Sequence, residues 1–514
     1  MRELTKNKQL AVNMISALIS YGISLMISFF LSPYIIQRVG VEANGYITLA
    51  NNFVTYASLL TIALNSMASR FVTIKLQQGK LEEANIYYNS VLGANMVMSV
   101  FLAVISIPCL FFLEKLISIP DKLVNDVKLL FLFIFINFLI SIFSSTFSIA
   151  TFATNRLYLS NLRTAESQGI RVAALLLLFA LCATRVSLVG IATVLASIFV
   201  MISNLIFRKR LLPQIKVKKA YFKLKAVWEI TLSGIWNTIT KLGQILLSGL
   251  DILIANIFIN PTAMGILSLS KLIPQAVSGL VGTMASVFTP DLTIDYAKGN
   301  MEGVVQNVKR SMKMMATIVN IPIVVIIING DQFFRLWTPS QDANQLQLLS
   351  VLAMSCLIVS GGINVIYNIF TVVNRLKANA LTVVLNGIIS TAIVFVLLKT
   401  TDLGLIAIVA TSELVGLIRV LAFVVPYGAK CLNKKWYTFY PEALKPLIPA
   451  VICIGIGYAL KMVFPVSSWL TYIAFSLVLA VIALLCNGLI ILNRGERAVL
   501  KQTIMSKIGK KTNV

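Results

Sequence analysis

Two neighbouring apolar stretches of the chain carry polar side chains at the spacing of one helical face. The first contains Asn237, Lys241, Gln244, Ser248 and Asp251 at intervals of four, three, four and three residues. The second repeats the pattern with Ser268, Lys271, Gln275, Ser278 and Gly282. Residues at these intervals lie on one side of a helix. Because a lysine at mid-membrane depth costs at least about 2.5 kcal/mol, Lys241 is expected to face water or a partner.

The chemistry predicted for these stripes is the binding of an anionic substrate. We select Lys241, Lys271, Asn237, Gln244 and Gln275 as candidate cavity residues. Asn51 joins them, because positions 220 residues earlier form an uncharged stripe of the same phase: Thr48, Asn51, Thr55 and Ser58. Small polar residues also pack helices together, so for the uncharged members both interpretations stay open.

The charged residues within apolar segments also include Asp251, Glu413 and Arg419. Asp251 and Lys271 fall at similar depth on adjacent antiparallel helices, and an ion pair between them would be either structural or part of a gate. Glu413 and Arg419 are six residues apart in a later segment and do not share a face well, so each needs a partner from another helix. We add Arg419 to the candidate substrate site and treat Asp251 and Glu413 as candidates for gating or ion coupling.

The composition argues against most enzymatic chemistry. The 514 residues contain no histidine, which removes the usual general base, metal ligand and pH switch together. No catalytic residue, metal ligand or cofactor is therefore predicted. Hydrophobic residues make up 58% of the chain and charged residues 12%, which is typical of a membrane protein. The formal net charge of +25 has to be explained by where the charges lie.

Fourteen apolar runs are long enough to cross a bilayer, which takes about 20 residues. The predicted fold is therefore an all-α polytopic membrane protein with about 14 transmembrane helices. The predicted spans are 10–33, 45–69, 89–113, 128–150, 168–184, 187–207, 230–257, 264–289, 313–330, 345–371, 379–398, 403–427, 447–464 and 469–492. Whether the fifth and sixth spans are separate helices stays open, because only three residues divide them.

The distribution of basic residues orients the chain. With the N-terminus inside, 32 of the 44 Lys and Arg residues fall in segments on the cytoplasmic side. Both termini are therefore predicted to be cytoplasmic. Most of the positive charge is explained by topology, and no nucleic-acid partner is expected.

An internal duplication divides the chain into two halves. At an offset of 220 residues, Gly45 matches Gly265 and Gly79 matches Gly299, while Asn155-Arg156-Leu157 pairs with Asn374-Arg375-Leu376 after one residue of slippage. Six spans per half give both copies the same orientation, with a pseudo-two-fold axis along the membrane normal. The predicted domains are a six-helix lobe (1–207), a basic connector (208–229), a second six-helix lobe (230–427) and a terminal helix pair with a basic tail (428–514).

Several strings support a family resemblance: VGVEANGYITL from Val39, SRFVTIKLQQGKLEEA from Ser69, YAKGNMEGV from Tyr296 and NGDQFFRLWTP from Asn329. With the duplicated six-helix lobes, they make the chain resemble the polysaccharide flippase branch, which serves O-antigen, capsule and exopolysaccharide, of the multidrug, oligosaccharidyl-lipid and polysaccharide (MOP) exporter superfamily. The resemblance covers nearly the whole chain.

The resemblance implies a flippase of the bacterial plasma membrane with two MATE-like lobes. Its substrate would be an undecaprenyl-pyrophosphate-linked oligosaccharide, moved to the outer leaflet by alternating access through a cationic cavity. The family's cationic cavity maps onto Lys241 and Lys271, and less closely onto Arg419. Membrane lipids, a polysaccharide polymerase and a chain-length regulator are the implied partners, and the terminal pair is a candidate for a lipid-tail groove.

Three alternatives remain at the level of sequence. A lipid II flippase has similar chemistry. A cation-coupled multidrug exporter of the same superfamily typically uses a membrane-embedded carboxylate in the first lobe, and the first six spans contain none; Asp251 or Glu413 would then couple to protons or sodium. A membrane glycosyltransferase or polymerase is less favoured, because the outer connections are short.

Overall fold

The computed structural model describes residues 6–373, 375–493 and 497, and every regular element within them is helical. A helix satisfies its backbone hydrogen bonds within its own segment, which a bilayer interior without water requires. Twelve helices of the described residues are long and apolar enough to span a membrane, and two bent helix pairs bring the total up to 14. The predicted all-α membrane fold is confirmed. The fifth and sixth spans are separate helices, which end and begin at Leu181 and Ser187.

The helices cluster into two compact units, residues 1–268 and 269–514. The first unit contains α1 (Lys6–Val39), α2 (Val41–Gln77), α3 (Leu81–Phe111), α4 (Leu113–Leu116), α5 (Val124–Ala153), α6 (Leu157–Leu181), α7 (Ser187–Leu211), α8 (Leu224–Gln244), α9 (Asp251–Phe258) and most of α10 (Pro261–Ser270). A π-helical turn, Ile245–Gly249, lies between α8 and α9, and short 3₁₀ turns occur at Asp121–Leu123 and Lys219–Tyr221.

The second unit begins in the last turn of α10 and continues to the terminal pair. It contains α11 (Leu272–Val287), α12 (Thr289–Ala297), α13 (Met301–Trp337), α14 (Ala343–Ser355), α15 (Leu357–Ile363), α16 (Ile366–Val372), α17 (Leu376–Thr400), α18 (Leu405–Arg419), α19 (Val425–Cys431), α20 (Tyr440–Leu444), α21 (Leu447–Val463) and α22 (Trp469–Ile490). A second π-helical turn, Val420–Val424, follows α18. This division differs from the predicted lobes, which stay a prediction from the repeat, and most of the predicted basic tail lies outside the described residues.

Backbone conformations at equivalent positions support the internal duplication. Gly79 and Gly299 each end a helix in the left-handed region, with φ of 72° and 71°. Glycine adopts this conformation without a steric penalty. Arg156 and Arg375 precede equivalent helices with φ, ψ of −112°, 45° and −116°, 57°. Of the third matched string, Asn374 lies outside the described residues.

Repeat-equivalent residues also meet one another within the first unit, where α10 packs on the start of α2. The hydroxyl of Thr262 donates to Oε1 of Glu42, its equivalent at an offset of 220, at 2.8 Å. A Cβ on Gly45 would lie 3.0 Å from Cα of Gly265, the matching glycine. These contacts join positions that the predicted repeat makes equivalent.

The terminal pair packs on α13. Val324 and Ile328 of α13 form a buried cluster with Cys453 of α21 and Phe475 and Leu479 of α22. α13 has a non-helical residue at Asn329, and the ammonium of Lys461 donates to the preceding carbonyl of Ile328 at 2.7 Å. The same ammonium forms an ion pair with Asp331 at 2.6 Å. The terminal pair thus contributes a hydrogen bond and an ion pair on either side of the interruption in α13.

Candidate functional site

The seventh span is broken, and the break lies within its polar stripe. The helix from Leu224 to Gly249 bends by 42° relative to Asp251–Phe258, across the π-helical turn. The bend leaves the carbonyl of Gly249 without its regular helical partner, and the hydroxyl of Tyr56 on α2 donates to it at 2.7 Å. π turns occur often at functional sites. Sequence periodicity treats this span as one continuous helix and therefore misses the break.

Lys241 lies at the middle of this broken span. It is seventeen residues from Leu224 and seventeen from Phe258, and its side chain is half-buried. At 1.5 Å per residue it is about 26 Å from the start of α8, beyond the reach of a lysine that extends to the interface. Among the described residues, no side chain accepts a hydrogen bond from its ammonium or forms an ion pair with it. A cation in this position is available to an anionic ligand.

Asp251 occupies the first position of α9, directly after the break. Its side chain is only 3% exposed, and it lies within electrostatic range of Tyr56. A carboxylate in the first turn of a helix is stabilised by the partial positive charge of the helix N-terminus. Asp251 therefore combines a buried charge with a bend, which suits a gating or ion-coupling group, and that role stays a prediction.

The amide candidates of the first unit lie on different surfaces. Asn237 donates to the hydroxyl of Ser66 on α2 at 3.1 Å, close to where Gly234 packs against the backbone of Ala63. Asn51 is exposed and donates to the carbonyl of Ile47 in its own helix at 2.8 Å. Gln244 is exposed. Asn237 thus contributes to the packing of α8 on α2, while Asn51 and Gln244 lie on the exposed surface.

The eighth span is broken at Lys271 itself. Pro261–Ser270 and the following helix meet at 41°, and Lys271 is the residue between α10 and α11. Pro274 explains the break, because proline has no amide hydrogen for the carbonyl four residues earlier and its ring clashes there. That carbonyl belongs to Ser270 and accepts the hydroxyl of Ser350 at 2.7 Å. Lys271 is half-buried, and Gln275 on α11 is exposed.

Arg419 is held by partners from two other helices of the second unit. Its side chain is 8% exposed; Nη1 donates to Oδ1 of Asn379 at 3.2 Å, and Nη2 donates to the Tyr367 hydroxyl at 2.7 Å. The guanidinium also lies 5.8 Å from the centre of the Tyr367 ring. The predicted need for a partner is met, and these contacts favour a positioning role over direct contact with substrate. Glu413, on the same helix, is half-buried within electrostatic range of Cys356.

A further buried cation lies at the start of the predicted ninth span. Lys313 lies twelve residues inside α13 and its side chain is 7% exposed. The predicted ninth span begins at residue 313, whereas the helix begins at Met301, and helical periodicity upstream of the apolar run could have revealed this earlier start.

An apolar cavity lies between α2, α3 and α5 of the first unit. It has a volume of about 290 Å³. Its lining includes Phe53, Tyr56, Leu102, Cys109, Phe135 and Phe138. Because its surface is almost entirely hydrocarbon and aromatic, it suits an apolar chain and not a sugar. Tyr56 links the cavity to the break in the seventh span.

Comparison with known proteins identifies the family. The profile of a family described as "Polysaccharide biosynthesis protein" matches residues 10–294, more than half of the chain. The chain belongs to this polysaccharide biosynthesis family. It is also similar to a protein named "Uncharacterized membrane protein EpsK" from Bacillus subtilis (strain 168), with 26% identity over 463 residues that cover 90% of this chain and 92% of that protein.

Solved structures share the fold at low sequence identity. The inward closed conformation of the lipid II flippase MurJ matches with a TM-score of 0.63 at 13% identity, covering 93% of this chain and 98% of that one. An inward-facing multidrug resistance MATE transporter of the MOP superfamily matches with a TM-score of 0.59 at 12% identity, covering 83% and 97%. The predicted MATE-like architecture is confirmed. At this identity the likeness shows a shared fold, and the family assignment rests on the profile match.

Proposed function

We propose that this protein is a flippase for undecaprenyl-pyrophosphate-linked oligosaccharide repeat units. It would move them from the cytoplasmic to the outer leaflet of the bacterial plasma membrane during synthesis of a surface polysaccharide. Family membership supports the connection to polysaccharide. A lipid-linked sugar needs three binding regions, one each for its anionic pyrophosphate, its glycan and its polyprenyl chain.

The observation that carries the proposal is the half-buried ammonium of Lys241 at the centre of a broken span. Family membership alone would be equally compatible with another role in polysaccharide synthesis. A membrane-depth cation that pairs with no carboxylate among the described residues favours an anionic ligand that enters the membrane. Pyrophosphate is such a ligand, and charge-assisted hydrogen bonds to phosphate oxygens are among the stronger ones. Lys271 is proposed to contribute a second cation.

The two bends supply the mobility that alternating access needs. Discontinuous helices lie at the substrate sites of several transporter folds. Here one bend carries Asp251 at its edge and the other carries Lys271. We propose that changes in these bends accompany the passage of the pyrophosphate. Asp251 or Glu413 would couple that change to a proton or sodium gradient.

The polyprenyl chain requires an apolar surface. The cavity between α2, α3 and α5 offers one in the first unit, and the terminal pair offers exposed apolar side chains such as Met462, Leu470 and Leu477. We propose that the chain stays on such surfaces while the pyrophosphate passes. Both termini are proposed to be cytoplasmic, and a polymerase and a chain-length regulator are proposed as functional partners.

Cells that lack the gene test the proposal. Lipid-linked repeat units should accumulate, chemically unaltered and confined to the cytoplasmic leaflet, and the wild-type gene should restore surface polysaccharide. Lys241→Ala should not restore it, although the variant inserts at normal levels; Lys399→Ala, which removes an exposed lysine at a helix end, should restore it.

Other outcomes point to the alternatives. Accumulation of lipid II, with polysaccharide unaffected, would favour a peptidoglycan role. Increased drug sensitivity alone would favour an exporter. A shift in the mass of the accumulated lipid-linked sugar would favour catalysis by the protein.

A further inference from the structure

The connector between α7 and α8 is a fixed segment of the first unit. Two asparagines of α3, both buried, bind its backbone. Oδ1 of Asn85 accepts the amide of Lys216 at 2.6 Å; Nδ2 of Asn89 donates to the Lys216 carbonyl at 2.8 Å, and its Oδ1 accepts the amide of Lys218 at 3.0 Å. A side-chain amide that both donates and accepts in this way fixes the position of an extended segment. The connector is thus attached to α3 through its main chain.

Further contacts secure both ends of the segment. The Ser90 hydroxyl accepts the amide of Lys223 at 2.9 Å, and Arg208 donates to the carbonyl of Ile215 at 2.7 Å. The Ile215 side chain is buried in the core formed by α2 and α3. The ring of Phe222 lies over Gly93, where a Cβ would come within 2.6 Å of it. Glycine at this position allows the connector to approach α3 closely.

The lysine side chains of this segment are left exposed. Because α3 binds main-chain atoms, the ammonium groups extend away from it: Lys209, Lys216, Lys218, Lys219, Lys223 and Lys225, together with Arg210, are all exposed. Exposed apolar side chains are interleaved with them, including Val217, Leu224 and Trp228. Tryptophan beside basic residues is typical of the membrane–water interface.

We propose that the connector is a preformed binding surface for anionic phospholipid headgroups of the leaflet it borders. Four to eight basic residues next to a transmembrane helix bind anionic lipid, at about 1 kcal/mol per charge. A surface held in place by Asn85 and Asn89 binds without first ordering the segment, which is a cost that a mobile linker would incur. The apolar residues would enter the acyl region while the lysines contact phosphate. The positive-inside rule accounts for the number of charges but does not require a fixed, hydrogen-bonded backbone.

The test measures lipid retained by the full-length protein. The protein is titrated with phosphatidylglycerol in zwitterionic mixed micelles, and bound lipid is counted by native mass spectrometry. We expect Lys216→Gln/Lys218→Gln/Lys219→Gln to weaken phosphatidylglycerol binding by roughly five-fold per lysine, on the order of 100-fold in total before screening by salt. The matched control, Lys298→Gln/Lys430→Gln/Lys435→Gln, removes three exposed lysines elsewhere and should bind like the wild type.

A second variant tests the preformed surface itself. Asn89→Ala removes both of this residue's contacts with the connector backbone and no charge, so it should weaken phosphatidylglycerol binding while thermal unfolding shows that the protein still folds. If this variant were unfolded, Asn85→Ser would replace it. Normal binding by the folded variant would overturn the preformed surface.

Two further arms separate the sources of phosphate. Inorganic pyrophosphate and undecaprenyl pyrophosphate replace phosphatidylglycerol in the same titration. If the triple connector variant lost only the pyrophosphate ligands, the phospholipid assignment would be wrong. Equal losses in the connector and control variants would show a nonspecific charge effect and would also overturn the proposal. None of these arms requires transport, so their results are independent of the proposed flippase activity.

Discussion

Lys241 and Arg419 are both membrane-depth cations, and the structure predicts opposite consequences when each is replaced by methionine. Lys241 has no hydrogen-bonding partner among the described residues, whereas Arg419 binds Asn379 and Tyr367. Lys241→Met therefore removes a charge whose burial costs at least about 2.5 kcal/mol and leaves no protein group unpaired. Its stability should be equal to or higher than that of the wild type.

The affinity of Lys241→Met for undecaprenyl pyrophosphate should instead fall. If Lys241 binds the pyrophosphate, the variant loses a charge-assisted hydrogen bond of about 1.5–3 kcal/mol, which corresponds to roughly 10- to 150-fold weaker binding. Lys241→Arg keeps the charge and should retain part of the affinity. Arg419→Met should instead lower the unfolding temperature, because it leaves two partner groups unpaired at about 1–3 kcal/mol each.

The assay combines thermal unfolding of the purified variants with a titration of undecaprenyl pyrophosphate. Lys399→Met is the control for loss of an exposed lysine and should change neither measurement. The reasoning would be refuted if Lys241→Met bound undecaprenyl pyrophosphate like the wild type. It would also be refuted if this variant lost as much stability as Arg419→Met, because Lys241 would then have a structural role.

Two further predictions concern helix packing and the break in the seventh span. Gly234→Ala should destabilise the protein by about 1–3 kcal/mol, because its Cβ would overlap the carbonyl of Ala63. The control is Gly169→Ala, whose new Cβ has no heavy atom within 4 Å. In thermal unfolding this control should be neutral or slightly stabilising. Tyr56→Phe should lower the free energy of unfolding by about 1–3 kcal/mol, because it leaves the Gly249 carbonyl unpaired. Hydrogen exchange of amides 245–250 should then become faster. Unchanged exchange there would contradict the role of the hydroxyl.

The sequence predicts the helices and their duplication well, because both depend on local patterns. Apolar runs long enough to span a bilayer identify the fourteen spans, and the matched glycines 79 and 299 adopt the same left-handed conformation. Polar spacing also predicts a functional role for Lys241, since a lysine within an apolar run is costly wherever the helix packs, and that role stays a prediction. These signals lie in the local sequence and do not depend on which residues pack against it in the fold.

Features that depend on distant neighbours could not be predicted. Pro274 suggests an interruption of the eighth span, but the π turn before Asp251 has no comparable marker, and its carbonyl is bound by Tyr56, almost 200 residues away. The partners of Arg419 come from two other helices for the same reason. The structure of the connector likewise depends on Asn85 and Asn89, which sequence periodicity does not distinguish from other residues of α3.

The most direct test of the proposed function is translocation by the purified protein in liposomes. Undecaprenyl-pyrophosphate-linked oligosaccharide is placed in one leaflet, and its appearance in the other is followed with an impermeant glycosidase or lectin. We predict that wild-type protein moves the lipid with its mass unchanged, that Lys399→Ala does the same, and that Lys241→Ala reconstitutes equally but moves it no faster than empty liposomes. Equal translocation by Lys241→Ala, or none by the wild type with a driving ion gradient applied, would contradict the account.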